Sequence, residues 1–197
     1  MGFNIGILIS GQGSNMLNII EACQANKLIS DVNLVISNNP DAVGIKKAEK
    51  KGIKIATILQ SNFLRKKDFE DAVTFELKKE KINLVCLAGF MTILGEGFIK
   101  KWKNKIINIH PSLLPSFKGL NAQSQAFRYG VKYTGCSVHY VDKGIDSGKI
   151  IDQEVVKISE KDTIESITRK ILMKEHILYI NVLKQLEEIY IDGQDKK

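Results

Sequence analysis

The sequence predicts an α/β fold: a doubly wound, mostly parallel sheet with helices on both faces and an antiparallel addition near the C-terminal end. Short apolar runs alternate with longer amphipathic segments, and the connections between them are short. This alternation is typical of the βαβ units that build a parallel sheet. The last two apolar runs instead follow each other with only a polar loop between them, which indicates an antiparallel pair.

The individual elements follow from the spacing of the apolar residues. Residues 3–9 form an Ile-rich run, which predicts a buried strand, and Leu17, Ile20 and Ala25 mark an amphipathic helix after it. Further strands are predicted at residues 34–37, 54–58, 84–88, 134–141 and 150–156, with another that ends at His110. Further helices are predicted at residues 42–51, 66–80 and 96–102, followed by a long helix from a capping sequence at 162–165 to about Tyr190.

The composition argues against several classes of protein. Hydrophobic residues make up 44% of the chain and charged residues 26%, as is usual for globular domains. No apolar run approaches the roughly 20 residues of a membrane span, and the N-terminus lacks the pattern of a signal peptide. The net charge of +7 comes mainly from lysines interleaved with glutamates in helical segments, which indicates solvated helix faces rather than a nucleic-acid partner.

The cysteines give an expectation about the compartment. Cys23, Cys86 and Cys136 are widely spaced, odd in number and without a CxxC pair. This usage favours reduced thiols over disulfide bonds or a zinc site. We therefore expect a cytoplasmic protein that holds no metal.

A glycine- and serine-rich loop separates the first strand from the first helix. Residues 10–15 read SGQGSN. Such a loop presents free backbone N–H groups and the positive end of a helix dipole, which suit a phosphate group, although similar turns also serve only as tight connections. The loop is not a dinucleotide fingerprint, because Met16 stands where the third glycine would be. It is not a P-loop either, because no Gly-Lys-Ser/Thr follows.

Three polar residues near strand ends make a candidate acid–base site. Asn108 and His110 end one predicted strand on the same side, because strand side chains alternate, and Pro111 then stops the ladder. Asp146 lies in the loop after the strand at 134–141. An amide, an imidazole and a carboxylate together suit acyl transfer, although taken singly they could be a turn cap, a core histidine and a turn residue. His139 has no motif support and is interpreted as structural.

An apolar loop follows the strand at 84–88. Residues 89–95 read GFMTILG. The loop could tuck against the core, or it could form the wall of a pocket for a flat aromatic ligand, because ligand pockets are mostly apolar.

Four stretches taken together resemble the phosphoribosylglycinamide formyltransferase branch of the formyltransferase family. They are SGxGSN at 10–15, LAGFM at 87–91, NIHPSLLP at 108–115 and DxG at 146–148, in order and at compatible spacing. The resemblance covers nearly the whole chain and implies one formyltransferase-like domain at 1–197. It would have a nucleotide-phosphate-binding half at about 1–104 and a catalytic and folate-binding half at about 105–197.

The resemblance implies roles for residues around a nucleotide. Gly13, Ser14 and Asn15 would hold the phosphate, and Glu175 would bond the ribose. The catalytic residues would be Asn108, His110 and Asp146.

The resemblance also implies a folate pocket. The residues that would line it are Leu87, Phe90, Met91, Thr92, Ile93, Leu94, Ile106, Val141 and Asp142. Thr92 departs from the family pattern, which commonly has a basic residue there, and a histidine common near Gln123 is absent. Arg65 or Lys66 could supply a cation near the phosphate.

The implied reaction transfers a formyl group from the cosubstrate 10-formyltetrahydrofolate to the amine of glycinamide ribonucleotide, by direct attack of the amine, in purine (IMP) biosynthesis. The partners would be these small molecules, and the chain would act as a monomer or homodimer. Two alternatives remain open at this point. One is another formyl-folate enzyme, either a hydrolase or a transferase acting on an amino-sugar nucleotide. The other is a nucleotide-binding module without catalysis.

Overall fold

The computed structural model describes residues 2–194 and shows a seven-stranded sheet with helices packed around it. The strands are β1 (Asn4–Ile9), β2 (Asp31–Ser37), β3 (Ile55–Thr57), β4 (Leu84–Leu87), β5 (Ile106–His110), β6 (Tyr133–Tyr140) and β7 (Ile150–Lys157). The helices are α1 (Ser14–Gln24), α2 (Val43–Lys50), α3 (Lys66–Lys79), α4 (Glu96–Lys101), α5 (Ala122–Tyr129) and α6 (Ile164–Gln194), and a 3₁₀ turn spans Gln60–Asn62.

The strand order is β3-β2-β1-β4-β5-β6-β7. The first five strands in this order, β3, β2, β1, β4 and β5, are parallel. Strand β6 runs antiparallel to β5, and β7 runs antiparallel to β6. This topology confirms the predicted mostly parallel sheet with an antiparallel C-terminal addition. Because the parallel strands share one direction, the loops after β1, β2, β4 and β5 all leave from the same edge of the sheet.

Apolar side chains alternate between two cores, one on each face of the sheet. Ile5, Ile7 and Ile9 of β1 face a core built with α1 and α6, and Leu8 faces the core built with α3 and α4. Both faces of the central strands are therefore covered, which explains why these strands read as continuous apolar runs rather than as alternating ones.

Most elements lie within one residue of their predicted bounds at each end, but β2 and α6 differ by more, and α5 is an additional helix. Helix α5 was not predicted, because its sequence AQSQAFRY buries only the small side chains of Ala122 and Ala126 and so has a weak apolar period. Strand β2 begins at Asp31 rather than at residue 34, because Asp31 pairs with Asn4 in the ladder to β1. Helix α6 continues past Tyr190 to Gln194, and residues 195–197 lie outside the described part of the chain.

No helix within residues 2–194 is both long enough and apolar enough to cross a membrane.

A buried tyrosine ties the long C-terminal helix to the centre of the sheet. The Tyr179 side chain is completely buried, and its hydroxyl donates a hydrogen bond to the Leu87 carbonyl at 2.9 Å, with the Ile107 carbonyl 3.4 Å away. Leu87 ends β4, and Ile107 lies in β5. Helix α6 is therefore fixed against the two strands that lead into the polar loops.

We expect Tyr179→Phe to lower the free energy of unfolding by about 1–2 kcal/mol, because the change leaves a buried carbonyl without its donor. Urea unfolding followed by circular dichroism measures this difference. Tyr190→Phe on the same helix is the matched control and should cost less than about 0.5 kcal/mol, since its hydroxyl makes only a 3.5 Å contact with Asn83. Equal losses in the two variants would contradict this account of α6.

Candidate active site

The three predicted catalytic residues meet at one end of the sheet, joined by a fourth residue. His110 Nδ1 lies 3.2 Å from Asp146 Oδ2, and His139 Nε2 lies 3.6 Å from Asp146 Oδ1. The Asn108 side-chain amide lies 3.2 Å from the same His139 nitrogen. The amide, the two imidazoles and the carboxylate therefore form one connected cluster.

His139 is the residue that sequence reasoning missed. It was interpreted as structural, yet it lies between Asn108 and Asp146 because β5 and β6 pair antiparallel with Asn108 directly opposite His139. Its Nδ1 lies 2.9 Å from the Tyr140 carbonyl, to which Nδ1–H donates. That hydrogen bond leaves Nε2 to face Asn108 and Asp146. The register of β5 against β6 would have revealed the pairing, but the sequence does not give that register.

A segment of unusual backbone closes over His110. The Nε2–H of His110 donates to the Phe117 carbonyl at 2.9 Å, and the Gly119 N–H donates to Asp146 Oδ2 at 2.8 Å. Phe117, Gly119, Asn121 and Asp146 all have positive φ angles. Both ring nitrogens of His110 thus face oxygen atoms, and only the doubly protonated imidazolium can donate to both.

Asp146 is held in its charged form. Burial opposes its ionisation, but the contact with His139, the hydrogen bond from Gly119 N–H and the charge of His110 outweigh burial and lower the pKa of Asp146 to about 2. The Asp146 carboxylate lies against Nδ1 of His110 and so orients the imidazole ring. The pair is therefore suited to hold and pass a proton.

The cluster opens into a cavity of about 760 Å³ with an apolar wall. Of the residues predicted to line a folate pocket, those that line this cavity are Leu87, Phe90, Met91, Thr92, Ile93, Leu94, Val141 and Asp142. Ile106 is not among them, because its side chain is buried in the core on the α3 and α4 face of the sheet. A mostly apolar wall with a few polar groups at its base suits a flat organic ligand.

Of the residues predicted to hold a phosphate, Asn15 lines the same cavity, whereas Gly13 and Ser14 are not among its lining residues. Gly13 adopts a left-handed conformation with φ 65° and caps α1, so Ser14 and Asn15 form the first turn of that helix. Gly13 also packs so closely against Gly44 of α2 that a Cβ atom would lie 2.9 Å from the Gly44 Cα. The backbone here can therefore approach a ligand, and the helix N-terminus favours an anion.

Asn15 and Glu175 form a buried polar pair at the cavity. Asn15 Nδ2 donates to Glu175 Oε2 at 2.7 Å, and both side chains line the cavity although each is more than nine-tenths buried. Asn15 Oδ1 has no hydrogen-bond partner. Burial raises the pKa of Glu175, and the hydrogen bond from Asn15 offsets part of that rise. Buried polar atoms are normally paired, so this site has acceptor capacity to spare for a polar ligand group.

A lysine of α2 contacts the glycine loop directly, whereas the two cations suggested from the sequence, Arg65 and Lys66, lie beside acidic side chains. Lys47 of α2 donates from Nζ to the Gln12 carbonyl at 2.8 Å. Arg65 instead pairs with Asp68 at 2.7 Å, and Lys66 lies 3.8 Å from Glu70. Arg65 and Lys66 thus lie beside acidic residues of α3, and the lysine that contacts the loop comes from α2.

Within residues 2–194, no group of three or more His, Cys, Asp or Glu side chains could hold a metal ion.

The fold and the cavity define an α/β protein that combines a histidine–carboxylate cluster, a glycine-rich loop at a helix N-terminus and an apolar slot at one edge of its sheet. Residues 3–183 match the family model described as formyl transferase. The chain therefore belongs to the formyl transferase family.

The chain is also similar to individual members of this family, both in sequence and in structure. Phosphoribosylglycinamide formyltransferase of Bacillus subtilis is 39% identical over 180 residues, which cover 91% of this chain and 92% of that protein. A structure of glycinamide ribonucleotide transformylase 1 from Symbiobacterium toebii superposes with a TM-score of 0.92 at 38% identity, over 95% of this chain and 88% of that one.

Some longer relatives contain a segment that is similar to this chain. The trifunctional purine biosynthetic protein adenosine-3 of Chironomus tentans is 41% identical over 194 residues, covering 98% of this chain. The chain spans only 14–18% of the length of the trifunctional relatives it matches.

We expect the stabilising effect of Asp146 to depend on pH. Because its pKa in the folded chain is about 2, below the ordinary 3.8, folding favours the carboxylate. That contribution, about 2 kcal/mol, is complete well above pH 4 and is lost as the pH falls through 2. The difference in unfolding free energy between wild type and Asp146→Asn should therefore shrink as urea unfolding is repeated from pH 6 down to pH 2.

The matched control is the exposed Asp41, whose carboxyl group makes no contact with the cluster. Asp41→Asn should change the unfolding free energy by less than about 0.5 kcal/mol at every pH, as is usual for surface substitutions. A difference for Asp146→Asn that stays constant from pH 6 to pH 2 would contradict the assignment of a lowered pKa.

Proposed function

We propose that this chain transfers the formyl group of 10-formyltetrahydrofolate to the amine of glycinamide ribonucleotide, a step of purine (IMP) biosynthesis. The observation that carries the proposal is a single cavity in which an imidazole–carboxylate pair lies between an apolar wall and a helix N-terminus. The match to phosphoribosylglycinamide formyltransferase of Bacillus subtilis over nine-tenths of both chains supports the same conclusion.

The formyl donor fits the apolar side of the cavity. The pterin ring is flat and largely aromatic, so it can lie against Phe90, Leu94 and Val141, which line the wall. The edge of the ring carries donors and acceptors that need polar partners. The loop from Val141 to Asp146 supplies backbone groups and the Asp142 carboxylate there.

The nucleotide fits the opposite side. Its phosphate would lie at the N-terminus of α1 and accept hydrogen bonds from the backbone of Gly13, Ser14 and Asn15. The Glu175 carboxyl group and the unpaired Asn15 Oδ1 would accept hydrogen bonds from the ribose hydroxyl groups. This arrangement leaves the amine end of the nucleotide pointing to the catalytic cluster.

The reaction needs no covalent enzyme intermediate. The amine attacks the formyl carbon, the carbonyl electron pair moves to oxygen, and a tetrahedral adduct forms. The Asn108 amide and the His110 imidazolium can donate hydrogen bonds to that oxyanion, and such preorganised donors are a major source of rate enhancement. When the adduct collapses, the folate nitrogen leaves with a proton and the attacking amine loses one.

His110 is the group placed to move those protons. Asp146 holds Nδ1, so the Nε2 proton, which donates to the Phe117 carbonyl in the structure, is the one that can pass to the adduct or the leaving nitrogen. Asp146 orients the ring through Nδ1, and His139 contacts the Asn108 amide. General acid–base catalysis of this kind is worth about 10²–10⁴ in rate.

A formyl-transfer assay on the purified chain tests the proposal. With both substrates, tetrahydrofolate should form at the same rate as formylated nucleotide. Formation of tetrahydrofolate without the amine would indicate a hydrolase, and activity only with an amino-sugar nucleotide would indicate a different acceptor. Tight nucleotide binding without any turnover would indicate a binding module.

We expect His110→Gln to lower turnover by about 10²–10⁴-fold, since it removes the proton carrier. Nucleotide affinity, measured by calorimetry, should change less than about threefold, because the α1 N-terminus is untouched. His176→Gln is the matched control, because His176 lies in α6 outside the cavity lining, and it should keep near wild-type turnover. A His110→Gln enzyme with near wild-type turnover would disprove the acid–base role.

We expect Lys47→Met to raise KM for the nucleotide about 5- to 10-fold while kcat stays within about twofold, because a uniform loss of phosphate attraction affects binding and not chemistry. Steady-state kinetics at low and high salt measure this change, which should diminish at high salt. Lys50→Met on the same helix is the control and should leave KM unchanged. A fall in kcat with unchanged KM would place Lys47 away from the phosphate.

A further inference from the structure

Three short polar side chains join the glycine loop to the apolar wall. Ser10 follows β1, Asn38 follows β2 and Thr92 lies in the loop after β4. Ser10 Oγ donates to Asn38 Oδ1 at 2.6 Å, and Asn38 Nδ2 donates to Thr92 Oγ1 at 2.7 Å. We call this set the Ser10–Asn38–Thr92 clamp.

Backbone groups strengthen the clamp at both ends. The Met91 N–H donates to Ser10 Oγ at 2.8 Å, and the Ser10 N–H donates to the Gly89 carbonyl at 3.0 Å. Asn39 Nδ2 donates to the Ser10 carbonyl at 3.1 Å. The first residue of the glycine loop therefore contacts the start of the apolar wall through several hydrogen bonds rather than one.

Packing alone does not position this part of the wall. Met91 is 68% exposed and Ile93 63% exposed, so these side chains bury little apolar surface. The far end of the loop is held separately, by the buried Leu94 and by a hydrogen bond from the Gly95 N–H to the Glu70 carboxylate. The position of Met91 and Thr92 thus depends mainly on the clamp, whereas Phe90 also packs against the core on the α3 and α4 face of the sheet.

We infer that the Ser10–Asn38–Thr92 clamp couples the two substrate subsites, so that nucleotide bound at the glycine loop orders the apolar wall and raises the affinity for folate. The inference rests on the proposed function, which places the nucleotide phosphate at Gly13–Asn15, in the loop that Ser10 begins, and the folate against the wall that includes Thr92. Coupling of this kind is reciprocal, so folate raises the affinity for nucleotide by the same factor. Asn38 and Thr92 act as positioning residues, since their effect passes through the loops.

The size of the coupling follows from the bonds involved. Each hydrogen bond in the clamp contributes about 0.5–1.5 kcal/mol net, which corresponds to roughly a 2- to 13-fold change in an equilibrium constant. We therefore expect the nucleotide to raise folate affinity about 3- to 10-fold. Thr92→Val keeps the shape of the side chain and removes the acceptor for Asn38. Asn38→Ala removes both the acceptor for Ser10 and the donor to Thr92.

Calorimetry with a pair of ligands that cannot react tests the inference. Tetrahydrofolate is titrated into the full chain with and without saturating glycinamide ribonucleotide, and the ratio of the two dissociation constants gives the coupling factor. We expect about 3- to 10-fold for wild type and a factor near 1 for Thr92→Val and Asn38→Ala, with nucleotide affinity in the absence of folate unchanged. Thr57→Val, at the exposed end of β3, is the matched control and should keep the wild-type factor.

The outcomes separate the two hypotheses. A wild-type factor of 1, or variants that keep the wild-type factor, would overturn the coupling while leaving the proposed function intact. Failure of the wild type to bind either ligand would overturn the proposed function and the inference with it. Thermal unfolding of each variant accompanies the titrations. Loss of the coupling factor at an unchanged Tm supports the inference. A coupling factor that falls only in variants whose Tm also falls would give the clamp a merely structural role and overturn the inference.

Discussion

The ion pair between His110 and Asp146 is the constraint on which the shape of the site depends. A carboxylate shielded from water is costly unless charges and hydrogen bonds compensate it. The chain meets this requirement with two imidazoles and the Gly119 N–H. Bringing that N–H and the Phe117 carbonyl to the pair requires the tightly curved segment at 117–121, with its left-handed residues. The backbone strain near the site is thus a consequence of holding one charged pair.

The change of strand direction at β6 positions the other residues of the cluster. Parallel strands deliver their following loops to one edge, which accounts for the glycine loop, the apolar wall and His110 lying together. An antiparallel neighbour adds something that a parallel one does not: residues directly opposite each other across the pair. This geometry places His139 against Asn108 and returns the chain through the loop that carries Asp146.

The sequence revealed those parts of the molecule that depend on local pattern. The strands appeared as buried apolar runs, and the alternation along β5 placed Asn108 and His110 on one side. Contacts between residues far apart in the sequence could not be predicted, because no local pattern indicates them. The role of His139 depends on a strand register, Lys47 reaches the glycine loop only through the packing of α2, and α5 buries too little apolar surface to show a period.

The charge of the whole chain and the charge of the cavity have opposite signs. The chain carries a net charge of +7, yet none of the described residues that line the cavity is Lys or Arg, and three of them, Asp142, Asp146 and Glu175, are acidic. The overall field can attract anionic substrates, and in the proposed function the nucleotide phosphate would lie at the N-terminus of α1, near the loop that Lys47 contacts. An acidic interior would by itself keep the attacking amine protonated and unreactive. Pairing Asp146 with His110 resolves this conflict, because the carboxylate then stabilises the charge of the imidazole rather than that of the substrate.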